Sequence, residues 1–349
     1  MRLSPRRCLF ALALLLSLGA AAAQELDLYE GEAPVQGQDA AEREAALAQA
    51  LAQVVVKLTG IRGAATDPRI QSELRRAPEL ARQFRYRQDL DTSTGVPVYL
   101  QYLVARFDPV AVETMLAEAG LPVWPAPRPR LHLWLVIDDG RGPRLVGAAQ
   151  ANAVRALSRR AEERGIRVTL PAADESNADL ALRAVWRGEA EALAALAERH
   201  GSAPLLLGRL ARSGAGWSVE WTLREGGSEV ARWGASHEDA RLALSDGADG
   251  AVDALGRRYA DLLASGPPGS HEIVVRGLRS GDDYIRLMGY LDTLAIVRSV
   301  TPLQARDDSL RLRLELAAGL EGFRRLVAGG RTLEPAAARG DEAEFRLRP

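Results

Sequence analysis

The chain has 349 residues, 47% of them hydrophobic and 26% charged, with a formal net charge of −1. This is ordinary globular composition, enough to bury real cores over two or three domains. The balance is too acidic for nonspecific nucleic-acid binding, which needs a basic face, so no nucleic-acid partner is expected.

The first residues read as a secretory leader. Arg2, Arg6 and Arg7 precede an apolar run from Leu9 to Leu18, and Ala21, Ala22 and Ala23 supply small residues for cleavage after Ala23. The run is shorter than the ~20 residues that span a bilayer, and no later segment is long and apolar enough to do so. Cys8 is the single cysteine and lies inside this leader. The mature chain is then free of disulfides, thiol catalysis and cysteine metal sites. Loss of three arginines leaves 42 basic against 46 acidic residues, a charge of −4. A soluble periplasmic protein is expected.

A proline-rich connector over residues 121–129 and a short Gly/Pro/Ser linker over residues 265–271 divide the mature chain into three modules. The first, residues 24–120, opens with an extended LDLYEGEAPV. It continues into a helix whose Ala46, Leu47, Ala50, Leu51, Val54, Val55 and Leu58 form one stripe. Asp39 is its expected N-cap, Glu42 completes a capping-box pattern, and Gly60 ends it. Asp67-Pro68 opens a second short helix. GVPVYLQYLVARF alternates as a strand apolar on both faces, hence central or covered. Asp108-Pro109 starts the next helix, which Gly120 stops.

The second module, residues 130–264, reads as a mixed-sheet α/β layer. Its expected strands are LHLWLVID, IRVTLP and APLLLGRLA, with a hairpin around Gly226-Gly227. Helices are expected over ANAVRALSRRAEERG and EAEALAALAERHG. A closing helix is expected over GADGAVDALGRRYADLLAS, with Asp246 or Asp249 near its N-cap. The third module, residues 272–349, follows a ferredoxin-like β-α-β-β-α order. Ser280 is the expected cap of its first helix and Asp307-Asp308 the turn between two strands. AEFRLR is a possible extra strand in the tail.

Several motifs together carry a family resemblance. They are LYEGEAPV, the ER..AL..AL..VVVKLTG helix, LPVWPAPRP followed by LWLVIDDG, LLLGRL, WSVEWTL and VVRGLRSGDDYIRLMGYLDTLAIVRSV. The chain resembles the proteobacterial secreted family catalogued as domain of unknown function 2066 (DUF2066). The resemblance implies an envelope protein of unassigned activity, with no catalytic residues to carry over. More loosely, the middle module is similar to the α/β domains of envelope assembly factors.

Paired carboxylates after a strand, Asp138 and Asp139, can bind a divalent cation or divide acid and base roles. Adjacent strand residues point to opposite faces, however, and Asp-Asp-Gly-Arg-Gly-Pro is turn chemistry ahead of a returning RLVG strand. The turn is the favoured reading. The histidines, His132, His200, His237 and His271, are scattered without metal-ligand spacing and read as structural or surface residues. Trp217 and Trp221 share a strand face. With Trp233 they are either core under a helix or an aromatic strip for glycan or lipid, and core is favoured for at least two of the three. Trp124, in the connector, is expected to pin modules together.

No catalytic, cofactor-binding or metal-ligating residue is assigned, and no cofactor is expected. The expected function is that of a noncatalytic periplasmic protein acting through protein–protein contacts, with an unknown envelope partner. The alternatives are an envelope hydrolase or metal-dependent enzyme using Asp138 and Asp139, or a glycan- or lipid-binding module.

Overall fold

The computed structural model describes residues 26–348 except 92–96, 125, 127, 202, 226, 295, 329, 331 and 337–342. The leader, its cleavage after Ala23, and Cys8 lie outside the described residues. The architecture is mixed α/β, built on three sheets.

The first sheet comprises β1 (Glu30–Val35), β2 (Ala81–Asp91) and β3 (Val98–Phe107), in the antiparallel order β1-β3-β2. Between β1 and β2 lie α1 (Ala40–Thr59), α2 (Pro68–Glu73) and α3 (Ala77–Leu80); α4 (Pro109–Glu118) follows β3. Helix α1 forms where the stripe places it. The Asp39 carboxylate accepts the Glu42 N–H at 2.9 Å, and Gly60 ends the helix at a left-handed φ of 70°. The capping box is half made, because the Glu42 carboxylate accepts from Gln36 rather than from Asp39. The stripe packs on Leu103, Ala105 and Phe107, the covered face of β3. β3 is central, as its two-faced pattern requires. β2 escapes the apolar reading because polar residues fill it, yet Phe84, Tyr86 and Leu90 alternate along it.

The second sheet comprises β4 (Leu131–Asp138), β5 (Arg144–Val146), β6 (Val168–Thr169), β7 (Leu205–Ser213), β8 (Gly216–Glu225) and β9 (Ser228–His237). Its order is β5-β4-β7-β8-β9, with β6 also on β4. β4 runs parallel to β6 and β7; the hairpin β8–β9 adds the antiparallel side. IRVTLP pairs only through Val168 and Thr169. Helices α5 (Arg155–Glu163), α6 (Glu175–Ala181), α7 (Ala190–His200) and α8 (Ala240–Leu263) surround the sheet. β4 is apolar on both faces for a reason: Leu131, Leu133 and Leu135 join one core with α5 and α8, while Trp134 and Val136 join another with α6 and α7.

Helix α8 begins at Ala240, where the Asp239 carboxylate accepts the Arg241 N–H at 2.8 Å. The expected start at Asp246 or Asp249 is therefore corrected by two turns. SDGADGAV lies inside the helix, and its small residues serve close packing. A Cβ on Gly247 would sit 2.4 Å from the Trp221 ring, and one on Gly256 would sit 3.0 Å from the Gly60 carbonyl oxygen. Glycine inside a helix costs about 0.5–1 kcal/mol against alanine. Here it lets α8 lie directly on the second sheet and on the end of α1.

The third sheet comprises β10 (Gly269–Arg276), β11 (Val297–Arg306), β12 (Ser309–Leu316), β13 (Leu333–Pro335) and β14 (Ala343–Leu347), with α9 (Gly281–Asp292) and α10 (Leu320–Ala328). Its order is β11-β12-β10-β14-β13. The β-α-β-β-α core is as the pattern implies, with Ser280 capping α9 and Asp307 at the β11–β12 turn with a φ of 49°. The tail departs from a simple sandwich. A right-handed crossover from β12 through α10 would bring the next strand in antiparallel to β10. A short strand not read from the sequence, β13, reverses the chain first, so β14, the AEFRLR strand, lies parallel to β10. One hydrophobic core then runs without interruption from β4 and β8 through α8 to β10, β12, α9 and α10.

A buried charge joins the first sheet to the second. Arg164, 1% exposed, follows α5 and points inward. Its guanidinium meets Asp249 at 2.5 Å and Asp253 at 2.6 Å on α8, and donates to the Gly60 carbonyl at 3.0 Å at the end of α1. Arg160 adds a second contact to Asp249 at 3.0 Å. Removing one partner of such a pair strands the other charge, which costs about 3–5 kcal/mol. Arg164→Met is expected to lose that much in urea unfolding. Arg164→Met with Asp249→Leu should cost less than the sum of the two single losses, a coupling that simple loss of side-chain volume would not give.

Candidate functional site

Asp138 and Asp139 sit in the β4–β5 turn and do not converge. The Asp138 carboxylate accepts the N–H groups of Gly140 at 2.8 Å and Gly142 at 3.1 Å. Both glycines have positive φ, 95° and 94°, which shapes the turn. Asp139 forms a two-pronged pair with Arg144, both contacts at 2.8 Å, and the guanidinium holds its pKa down at about 2. Each carboxylate is thus engaged in holding the turn. Among the described residues, no group of three histidine, aspartate or glutamate side chains is placed to hold a metal ion.

The tryptophans face inward. Trp221 is fully buried, and Trp217 and Trp233 pack partly buried against the same core. Trp233 lies directly opposite Trp221 across β8–β9 and donates its indole N–H to Asp246 at 3.2 Å. The strand face that a glycan or lipid would need is turned onto α8. Trp124 pins the connector: its backbone N–H donates to Leu58 O at 2.8 Å, and its ring stacks on Tyr259 of α8 with centroids 5.1 Å apart.

Two of the scattered histidines meet. His132 on β4 and His200 at the end of α7 have ring centroids 4.5 Å apart. Nothing in their spacing of 68 residues announces this; the parallel β4–β7 pairing and the helix between them bring it about. His132 Nδ1 lies 2.9 Å from the Thr169 hydroxyl, and His200 Nε2 accepts the Trp134 indole N–H at 3.1 Å. Burial, then His132, then Arg199 push the His200 pKa down to about 4. Burial and Arg130 lower His132. His237 and His271 lie apart from this pair, on β9 and β10.

The histidine pair forms one wall of a cavity of about 380 Å³ at the seam between the second and third sheets. Tyr290, Leu294 and Leu326 line it from the third, and Glu225, Arg258 and Tyr259 add to the lining. Glu225 Oε2 lies 2.7 Å from Arg258 Nε. Burial raises the Glu225 pKa and Arg258 works against that rise. Burial and then Glu225 raise Tyr290 to about 12, and Tyr259 is raised for the same reasons. A mostly apolar cavity with a few converging polar groups has the features of a binding pocket rather than of a packing defect.

A second feature lies at the opposite end of the molecule's first sheet. The β2–β3 hairpin carries Leu90 and Tyr99 directly opposite each other, 53% and 70% exposed, with Val98 exposed beside them. Leu90 and Tyr99 lie on the same strand face as the buried Leu103 and Phe107, past the end of the core.

Residues 22–125 match the family model of a domain of unknown function, DUF8605. This overturns the resemblance to domain of unknown function 2066, because the match falls on a different family. It covers the first sheet with its hairpin and ends inside the proline-rich connector. No curated protein matches the chain, and no solved structure does.

The histidine pair has a consequence for stability. A folded pKa of about 4 lies below the ordinary value of 6.5, so between these limits the unfolded chain binds more protons at this position. Stability contributed by the neutral ring is present above pH 6.5 and is lost as pH falls toward 4. Thermal melting between pH 7 and 4.5 is expected to show this decline, and His200→Asn should flatten it.

Proposed function

We propose that this protein is a noncatalytic component of the cell envelope that works by contact with a partner polypeptide. The β2–β3 hairpin carries the reading. Leu90 and Tyr99 form an exposed cross-strand apolar pair on an arm that the chain's own core does not cover. Exposed in water, such a pair contributes only about 0.2–1 kcal/mol to the hairpin. Buried beneath a partner, a leucine side chain alone is worth about 1.5–3 kcal/mol. β2 is also an edge strand, so its outer backbone groups are open to an added strand.

Other features agree with this reading. The leader-like residues 1–23 support export, and no described helix is long and apolar enough to cross a membrane. The rival reading, a hydrolase or cation-dependent enzyme built on Asp138 and Asp139, loses its ligands to the turn.

The test is a photo-crosslinking residue placed at Tyr99 in living cells, with Val110 as control. Val110 is equally exposed but sits at the opposite end of β3, at the start of α4. A single dominant adduct from Tyr99, abolished by Leu90→Ser and absent from Val110, is the expected result. Equal labelling from the two positions would refute the assignment.

A further inference from the structure

The seam pocket holds polar groups that the fold does not use, and they are donors. Tyr259 and Tyr290 line it, and neither hydroxyl has a hydrogen-bond partner among the described residues. Space is kept at the second: a Cβ on Gly330 would sit 3.0 Å from the Tyr290 oxygen. His200 adds a third donor. An indole N–H can only donate, so His200 Nε2 is the acceptor of the Trp134 bond and the proton of the neutral ring resides on Nδ1. That N–H also lacks a protein partner among the described residues.

The charge around the cavity is also one-sided. Arg128, on the connector, lines it with its guanidinium 4.3 Å above the Trp124 ring that stacks on Tyr259. Its Nη2 donates to Leu58 O and Trp124 O, its Nε and Nη1 are sealed without partners, and no carboxylate pairs with it among the described residues. Burial pulls this arginine's pKa down to about 9, with Tyr29 and Tyr259 working against the fall. A buried cation without a counter-charge is costly. Of the other charges that line it, Glu225 is met by Arg258, while Arg130 and Asp292, one of each sign, are both exposed. One positive charge is left over, beside three free donors and walls of leucine and proline.

We propose that the seam pocket binds a small organic monocarboxylate with an apolar body. The carboxylate accepts from Tyr259, Tyr290 and the Nδ1–H of His200 in the field of Arg128, and the body lies against Leu294 and Leu326. This site is independent of the hairpin, and either can fail without the other. Tyr290 belongs to α9 and His200 to α7, so occupancy also ties the third sheet to the second.

The purified full chain is titrated calorimetrically with decanoate, with 3-phenylpropionate and with decan-1-ol. One acid is expected to bind at one per chain and to raise the melting temperature by mass action. The neutral alcohol should bind about tenfold more weakly or worse, as loss of a charged hydrogen bond implies. Preference for decanoate identifies an aliphatic acid as the source, and preference for 3-phenylpropionate an aromatic one. Tyr290→Phe keeps the ring and removes a donor, and should weaken binding by a similar factor while the unliganded melting temperature holds. Should that variant fail to fold, Gly330→Ala, which crowds the same hydroxyl, gives the second reading and should likewise weaken the acid. Failure of both acids to bind, equal binding of the alcohol, or full affinity in the folded variants would overturn the proposal.

Discussion

Arg164 carries a full charge into the interior, and the arrangement of the first two sheets depends on how that charge is met. Asp249 and Asp253 come from one helix, α8, and the Gly60 carbonyl from the end of another, α1. A lone carboxylate would satisfy a guanidinium only in part. Three acceptors in a fixed fork specify where α1, α5 and α8 must stand relative to one another, because the five donors of arginine are rigidly placed. Replacing all of these groups with apolar side chains could give equal stability. It would give up the directional constraint.

The same region shows why α8 is poor in large side chains. Gly247 admits the Trp221 ring and Gly256 admits the backbone at Gly60. With bulk removed from the helix, contact is made by the residues it touches: Trp221 from the second sheet, Trp124 from the connector, and the core residues of the third sheet. The connector is consequently a structural part of the joint. It is stacked on α8 through Trp124 and bonded to the end of α1 through the same residue's backbone.

This packing leaves two places where the molecule presents surface it does not itself consume. At the far end of the first sheet, the hairpin extends past α1 and leaves Leu90 and Tyr99 exposed. At the seam of the second and third sheets, α9 and α10 stand off from β4 and α7, and the gap collects aromatic hydroxyls, imidazoles and an unneutralised arginine. The first is apolar and open, suited to a partner's chain. The second is recessed and donor-rich, suited to a small acid. Asp138 and Asp139, which looked most like chemistry along the chain, are consumed in shaping a turn.

Local physics was readable from the residues alone. The stripe of α1, the two-faced apolar runs of β3 and β4, the caps Asp39, Asp108 and Ser280, the turn at Asp138-Asp139, and the inward tryptophans all follow from periodicity and short-range hydrogen bonding. Where a residue's role depended on a distant neighbour, the chain was silent or misleading. β2 is a strand because β3 offers it an edge. SDGADGAV looked like a helix start because glycine and aspartate favour caps, yet its glycines answer to Trp221 and Trp233 and its Asp249 to Arg164. The meeting of His132 with His200, the isolation of Arg128's charge and the whole seam pocket arise only when β4, α7, α8 and α9 are packed together. Spacing along a chain encodes hydrogen bonds a few residues long, whereas burial of charge and the shape of a cavity are properties of surfaces brought together by the complete fold.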